Sequence, residues 1–249
     1  MKIPVLRGLI DRRVLVNFRV DPAALAGILP PPFRPELVQG FGVAGICLIR
    51  LKQIRTRWMP RAIGIGSENA AHRIAVLWDD DSGAHRGVYI PRRDSSSFLN
   101  VLAGGRVFPG EHHRARFDVS EVDDRYRIAV ASDDGVVQIG VDARVASRLP
   151  AGSVFRSLEE ASAFFEGGSV GYSDTRAGVL DGIELRTARW AISPLEVREV
   201  SSSIFFDPAR FPEGSLEFDS AFLMRHIDHE WHGRDPIPRV GSHPFVIPD

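Results

Sequence analysis

The sequence predicts a mainly β (α+β) fold: a single domain over residues 1–249, an antiparallel β-barrel, closed or nearly so, with two or three short helices. Three observations predict it. Apolar and polar residues alternate with a period of two through much of the chain, the pattern of strands that bury one face. Turn signals rich in Asp and Gly separate these runs, so successive strands fold back on one another. No repeat, low-complexity linker or composition shift divides the chain, and a barrel of 249 residues is an ordinary single domain. Closure is the economical way to hide so many strand edges.

Arg13 to Arg19 reads as a strand with Val14, Val16 and Phe18 on one face. Asp21 then supplies an N-cap and Pro22 a first helical residue, for a short helix that ends before Pro30-Pro31-Pro32. Val38 to Ile54 predicts a long or bent strand in which Gly40, Gly42 and Gly45 leave room for a bulge or a close backbone approach. Glu68 to Trp78 and Arg86 to Ile90 flank the turn Asp79-Asp80-Asp81-Ser82-Gly83. Ser95 to Ala103 predicts a short helix closed by Gly104-Gly105. His113 to Val119, Arg125 to Ala131 and Val136 to Val145 predict an antiparallel meander. Ser157 to Phe165 is the clearest helix, with Ser157 and Glu160 at capping-box spacing and Gly167-Gly168 after it. Strands are expected at Ile183 to Ile192, Leu195 to Phe205 and Phe218 to Arg225, with an irregular tail from Gly233.

Composition excludes several classes of function. Hydrophobic residues form 44% of the chain and charged residues 25%, which suits a packed core rather than disorder. The 31 basic and 32 acidic residues nearly cancel, so no partnership with nucleic acid or an anionic membrane is expected. Lys2 and Lys52 are the only lysines, which narrows the possible amine nucleophiles sharply. Cys47 is the only cysteine, and neither an internal disulfide nor a multi-cysteine metal site can form. The N-terminus lacks the pattern of a signal peptide and no apolar run reaches spanning length, so a cytoplasmic protein is expected.

Several motifs invite chemical readings. Gly167-Gly168-Ser169-Val170-Gly171 matches G-x-S-x-G, but a nucleophile elbow needs a strand before the serine and a helix after it. Here the order is helix, then loop, which favours a glycine-rich helix stop. His226, His229 and His232 would gather on one side of a helix, yet they follow a strand pattern that sends His226 and His229 to opposite faces. No metal is expected there. Glu111-His112-His113 offers a histidine and a carboxylate for acid–base work, since only one of two adjacent histidines can enter a given pocket. Glu68 opens an apolar strand, as either a rim residue or a buried acid. Arg92-Arg93-Asp94 is either a carboxylate clamp or a solvated loop with a local ion pair. Lys52 shares a strand face with Arg50, a neighbour that could activate it if both faced an interior.

Five blocks together resemble a known family: 16–22 (VNFRVDP), 66–73 (GSENAAHR), 87–94 (GVYIPRRD), 104–113 (GGRVFPGEHH) and 218–225 (FDSAFLMR). The chain is similar to the YqjF-like family of uncharacterised proteins, within the acetoacetate decarboxylase-like superfamily. That resemblance implies a mostly antiparallel barrel with a cone-like interior, an active-site cavity at its centre, and assembly as a homo-oligomer. Acetoacetate decarboxylase itself uses a Schiff-base lysine beside a second lysine just after a proline, with glutamates and an arginine near the cavity. Glu68 matches one such glutamate, Arg12 or Arg13 lies near the arginine, and Ser201-Ser202-Ser203 resembles a late triple serine. Pro109 resembles the proline, but Gly110-Glu111 and then His112-His113 follow it, with no lysine. Imine chemistry needs a primary amine at the substrate carbonyl, so the departure argues against acetoacetate decarboxylation.

The expectation is a central cavity for a small carboxylate-bearing molecule, with no cofactor and no metal. Arg92, Arg106 and Arg225 would hold the carboxylate, while Glu68, Glu111 and His112 or His113 would move protons. The function classes are a non-Schiff-base lyase, isomerase or hydrolase, a non-catalytic binding or sensing barrel, and a divergent decarboxylase using Lys52.

Overall fold

The computed structural model describes residues 4–97, 110–175 and 178–238. Strand β1 (Leu6–Val20) leads to helix α1 (Pro22–Ala26), where the Asp21 carboxylate accepts from the Ala23 amide at 2.7 Å. Two short strands, β2 (Arg34–Pro35) and β3 (Leu37–Val38), precede the long β4 (Phe41–Thr56), β5 (Ile65–Asp80) and β6 (Gly83–Ser95). The meander β7 (His112–Val122), β8 (Arg125–Ser132) and β9 (Gln138–Val145) follows. Helix α2 (Leu158–Gly167) separates it from β10 (Val170–Asp174), β11 (Val179–Thr187), β12 (Ser193–Ser202) and β13 (Leu216–Pro238). The capping box at α2 forms, with the Ser157 hydroxyl accepting from the Glu160 amide at 3.2 Å.

The fold is mostly β. The thirteen strands among the described residues join one sheet in the order β11-β10-β6-β7-β8-β9-β12-β13-β1-β4-β5-β2, with β3 beside β4. Additional pairings of β5 with β6 and of β11 with β13 return the succession of strands on itself. Most pairs are antiparallel, but β6 runs parallel to both β7 and β10.

The wall formed by β13, β1, β4 and β5 is buried on both faces. One face carries Val14, Val16, Phe18, Ile46 and Ile74 against Tyr126, Ile128 and Ile139 of the meander. The other carries Leu15, Cys47, Ile49 and Phe222 against Phe165 of α2 and Ile183 of β11. This explains why the central strands read as nearly continuous apolar runs.

Several expectations need correction. Ser95 ends β6 instead of starting a helix, and most of the helix expected to Ala103 lies outside the described residues. Val170 begins a strand where a loop was expected. β13 runs on through Gly233 to Pro238, past both the expected end at Arg225 and the expected start of the irregular tail. It does so by changing partners: residues 221–223 pair with β12, and the stretch from His229 pairs with β11. His226 has a left-handed backbone (φ 54°) just before that second stretch. β11 stops at Thr187 and β12 at Ser202, each short of its expected end.

Candidate functional site

The second core encloses a cavity of about 100 Å³. Its wall is mainly apolar, from Ile49, Leu51, Val88, Ile90, Phe165, Ile183, Trp190 and Trp231, and it is interrupted by Arg13, Arg73, Arg93, Cys47 and His112. A handful of converging polar groups in an apolar enclosure is the usual composition of a small-molecule site. A larger open groove of about 1550 Å³ runs beside the meander, where three of its five arginines, Arg125, Arg127 and Arg144, have carboxylate partners. Arg125 binds Asp142 there at 2.8 Å, and Arg144 binds Glu196 at 2.7 Å.

Bulges aim the three cavity arginines. The β1–β4 register shifts between Ile10 and Arg12, so Ile10 and Arg13 share a face although they are three residues apart. The β5–β6 register shifts between His72 and Ile74, opposite Ile90 and Pro91. Arg73 occupies that irregularity, and Arg93 follows it on the same face as Val88 and Ile90. Pro91 cannot donate to the ladder and suits such a break. Bulges commonly re-aim side chains beside functional sites.

No carboxylate lies within ion-pair distance of these three guanidiniums among the described residues. Arg13 donates from Nε to Cys47 Sγ at 3.3 Å and from Nη1 to Met224 Sδ at 3.8 Å, both weak acceptors. Arg73 donates to Asn17 Oδ1, its Cζ lies 4.9 Å from the centre of the Phe165 ring, and its buried Nε has no hydrogen-bond partner. Arg93 donates from Nε to Ser173 Oγ at 2.9 Å and leaves Nη2 buried and unmatched. Burial lowers both Arg73 and Arg93 to about 10, opposed by the nearby Cys47 sulfur. Both remain charged at neutral pH. Buried cations held only by neutral groups are costly, and an anion in the cavity would offset that cost.

His112 joins them through strand register. In the parallel β6–β7 pair, Arg93 lies opposite His112 and Asp94 opposite His113. Arg93 and His112 therefore share the cavity face. Asp94 borders the cavity too, but its Oδ1 is engaged by Arg92 Nη2 at 2.8 Å.

The remaining expected residues sit elsewhere. Arg92 is buried between Asp94 and Asp134, and His113 Nδ1 lies 3.3 Å from Asp134. Burial pushes Asp94 up to about 6, against Arg92. Burial also acts to raise Asp134, but hydrogen bonds from Ser132, Arg92 and the Val136 amide outweigh it and hold that group near 2. Glu68 has both oxygens occupied, Oε2 by Arg12 at 2.6 Å and Oε1 by Arg50 at 2.5 Å. Arg225 binds Tyr126 Oη at 2.8 Å and lies 3.5 Å from Glu121. Glu111 is half-buried and does not line the cavity. Arg106 lies outside the described residues. Of the six expected site residues that are described, His112 alone lines the cavity.

Lys52 is half-exposed, paired with Asp11 at 3.0 Å, and does not line the cavity. Lys2 lies outside the described residues. Ser169 borders the cavity after α2, where β10 follows, so the G-x-S-x-G sequence is not a strand-to-helix elbow. Among the described residues no three His, Cys, Asp or Glu side chains gather as metal ligands. His226 is exposed and His229 buried, as alternation requires. No described helix is long and apolar enough to cross a membrane.

Solved structures share this fold at low identity. An acetoacetate decarboxylase-like enzyme from Sphingomonas wittichii is 15% identical, with a TM-score of 0.59 over 95% of this chain and 93% of its own. Acetoacetate decarboxylase from Legionella pneumophila is 14% identical, with a TM-score of 0.56 over 98% of this chain and 90% of its own. The enduracididine biosynthesis enzyme MppR, complexed with pyruvate, is 14% identical, with a TM-score of 0.56 over 94% of this chain and 91% of its own. No curated protein sequence matches this one. The sequence profile of DUF2071, described as an uncharacterized conserved protein, matches residues 10–222. The chain therefore belongs to the DUF2071 family, the YqjF-like family that its sequence blocks resemble.

Proposed function

We propose that the cavity binds a small organic carboxylate, held by Arg13, Arg73 and Arg93. One observation carries this reading: three guanidiniums without a carboxylate partner line a single, mainly apolar cavity. The volume of about 100 Å³ suits a small organic molecule rather than a large one. Pyruvate, named in the similar MppR structure, has that size and charge. The returning succession of strand pairs supports a barrel around this interior.

The chemistry supported is of a non-imine kind. Among the described residues no lysine lines the cavity, so none of them offers an amine there to form a Schiff base. His112, the neighbour of Arg93 across the β6–β7 pair, would exchange a proton with the part of the ligand next to a carboxylate held by Arg93.

Titration calorimetry with small carboxylic and 2-oxo acids tests the reading. Binding should weaken about 10- to 100-fold in Arg73→Met and Arg93→Met, the loss of one charged hydrogen bond each. Binding that is absent, or equally tight in both variants, would remove it. Borohydride trapping with a 2-oxo acid should give no stable adduct, since only an imine is reduced to one.

A further inference from the structure

We propose that Cys47 is a nucleophile that attacks an acid whose electrophilic carbon adjoins its carboxylate, such as a 2-oxo acid. The proposal rests on the carboxylate reading and gives the cavity a reacting atom. Cys47 lies at the middle of β4 and lines the cavity, only 7% exposed. Its cross-strand neighbours are Leu15 on β1 and Ala71 on β5. Ala71 has too short a side chain to cover the sulfur. Arg13 Nε–H donates to Sγ at 3.3 Å, which fixes the sulfur beside a cation. Arg73 and Arg93 line the same cavity as the sulfur.

An independent observation points to a ligand at the same place. Arg73 is 5% exposed, lines the cavity and keeps a buried Nε with no partner. A carboxylate that satisfied Arg73 and Arg93 would bring its neighbouring carbon to the sulfur. Holding two reactants in that geometry replaces a bimolecular encounter by an oriented one.

The step balances without an oxidant or reductant. The sulfur lone pair forms a C–S bond to C2 of a 2-oxo acid, the carbonyl π pair moves to oxygen, and the thiol proton ends on that oxygen as a hemithioketal. With a haloacetate the C–S bond forms, the carbon–halogen bond breaks, the halide leaves with its electron pair, and the thiol proton goes to solvent.

Iodoacetate and iodoacetamide separate an oriented thiol from an ordinary one, because they differ in the carboxylate. Cys47 is the only cysteine, so intact mass reads its alkylation alone. The ratio of the iodoacetate rate to the iodoacetamide rate should be at least about tenfold higher in the native protein than in the guanidinium-unfolded chain. The excess should vanish in Arg73→Met and in Arg93→Met, and pyruvate should slow iodoacetate labelling. Equal ratios in native and unfolded protein, or a native thiol inert to both reagents, overturn the proposal. Calorimetry on the unmodified protein distinguishes the two failures: acid binding that depends on arginine, with equal ratios, removes the nucleophile and leaves the carboxylate site.

Discussion

The guanidinium of Arg73 reaches over Gly45 to the side chain of Asn17. The three residues stand in register on adjacent strands, Asn17 opposite Gly45 and Gly45 opposite Arg73. Arg73 Nη2 donates to Asn17 Oδ1, while Asn17 Nδ2 donates onward to the Ser220 carbonyl at 3.2 Å. The absent side chain at position 45 is what lets the bond span three strands. This polar row supports one of the cations of the cavity from behind.

Gly45→Ala tests that row. A Cβ there would lie 2.3 Å from the Val16 carbonyl and 3.3 Å from Asn17 Oδ1. The first is backbone and cannot swing away, so β1 and β4 must shift. Stability should fall by about 1–3 kcal/mol in urea unfolding. Acid binding should weaken with it, because the support of Arg73 moves. An unchanged urea midpoint would show that the strands yield without strain.

Arg93 is predicted to weaken the protein it serves. Its guanidinium is buried with one neutral partner, and replacing it by a methionine of similar length removes an uncompensated charge. Arg93→Met should therefore unfold later without ligand, by about 1 kcal/mol or more. The same variant should gain little further stability from added acid. A variant that loses stability and keeps the acid-dependent gain would place the charge compensation elsewhere.

Glu68 is predicted to act on stability. Arg225, Arg12, Arg50 and Glu68 form a row across β13, β1, β4 and β5. Arg12 is fully buried, with Glu68 on one side and Glu121 at 2.7 Å on the other. Glu68→Gln leaves that cation half-matched and should cost about 3–5 kcal/mol in urea unfolding. The affinity for small acids should stay within about twofold, since Glu68 does not touch the cavity. A large loss of affinity at unchanged stability would return Glu68 to the site.

These residues show how much of the site was legible in the sequence. Regular alternation placed Val14, Val16 and Phe18 on one face correctly. The family resemblance left Arg12 and Arg13 as alternatives for one arginine; adjacent residues on a strand point apart, and the cavity takes Arg13. Adjacent histidines were known to diverge, but only the parallel register with β6 assigns His112 to the cavity. Arg92 and Arg93 likewise point apart, and the break at Pro91 reversed the face that a continuous count would give. The family blocks carried the fold. What they could not carry was pairing between distant strands, and the cavity is made of that pairing.

Two buried histidines make the protein sensitive to acid. Burial, reinforced by Arg92 and Arg210, lowers His72 to about 3. Burial also lowers His229 to about 4, with Arg13 adding to the effect and a backbone hydrogen bond at Ile227 opposing it. Both are neutral in the folded chain at pH 5, whereas an unfolded histidine is protonated below about 6.5. The unfolded state therefore binds more protons as pH falls from 6.5, and stability falls with it. Each histidine costs about 2 kcal/mol between pH 7.5 and 5 on the scale of 1.36 kcal/mol per pH unit. Asp94 acts in the opposite direction, because burial raises it to about 6 and the folded chain takes up its proton first. Its contribution is largest in acid and is lost as pH rises through 6, which returns about 1 kcal/mol at pH 5. The net expectation is a loss of about 3 kcal/mol from pH 7.5 to 5, read as a lower urea midpoint. His72→Phe and His229→Phe cannot titrate, and each should make that dependence shallower by about 2 kcal/mol whatever its effect at pH 7.5. A pH dependence as steep in both variants as in the parent chain would mean that other groups set the acid limit.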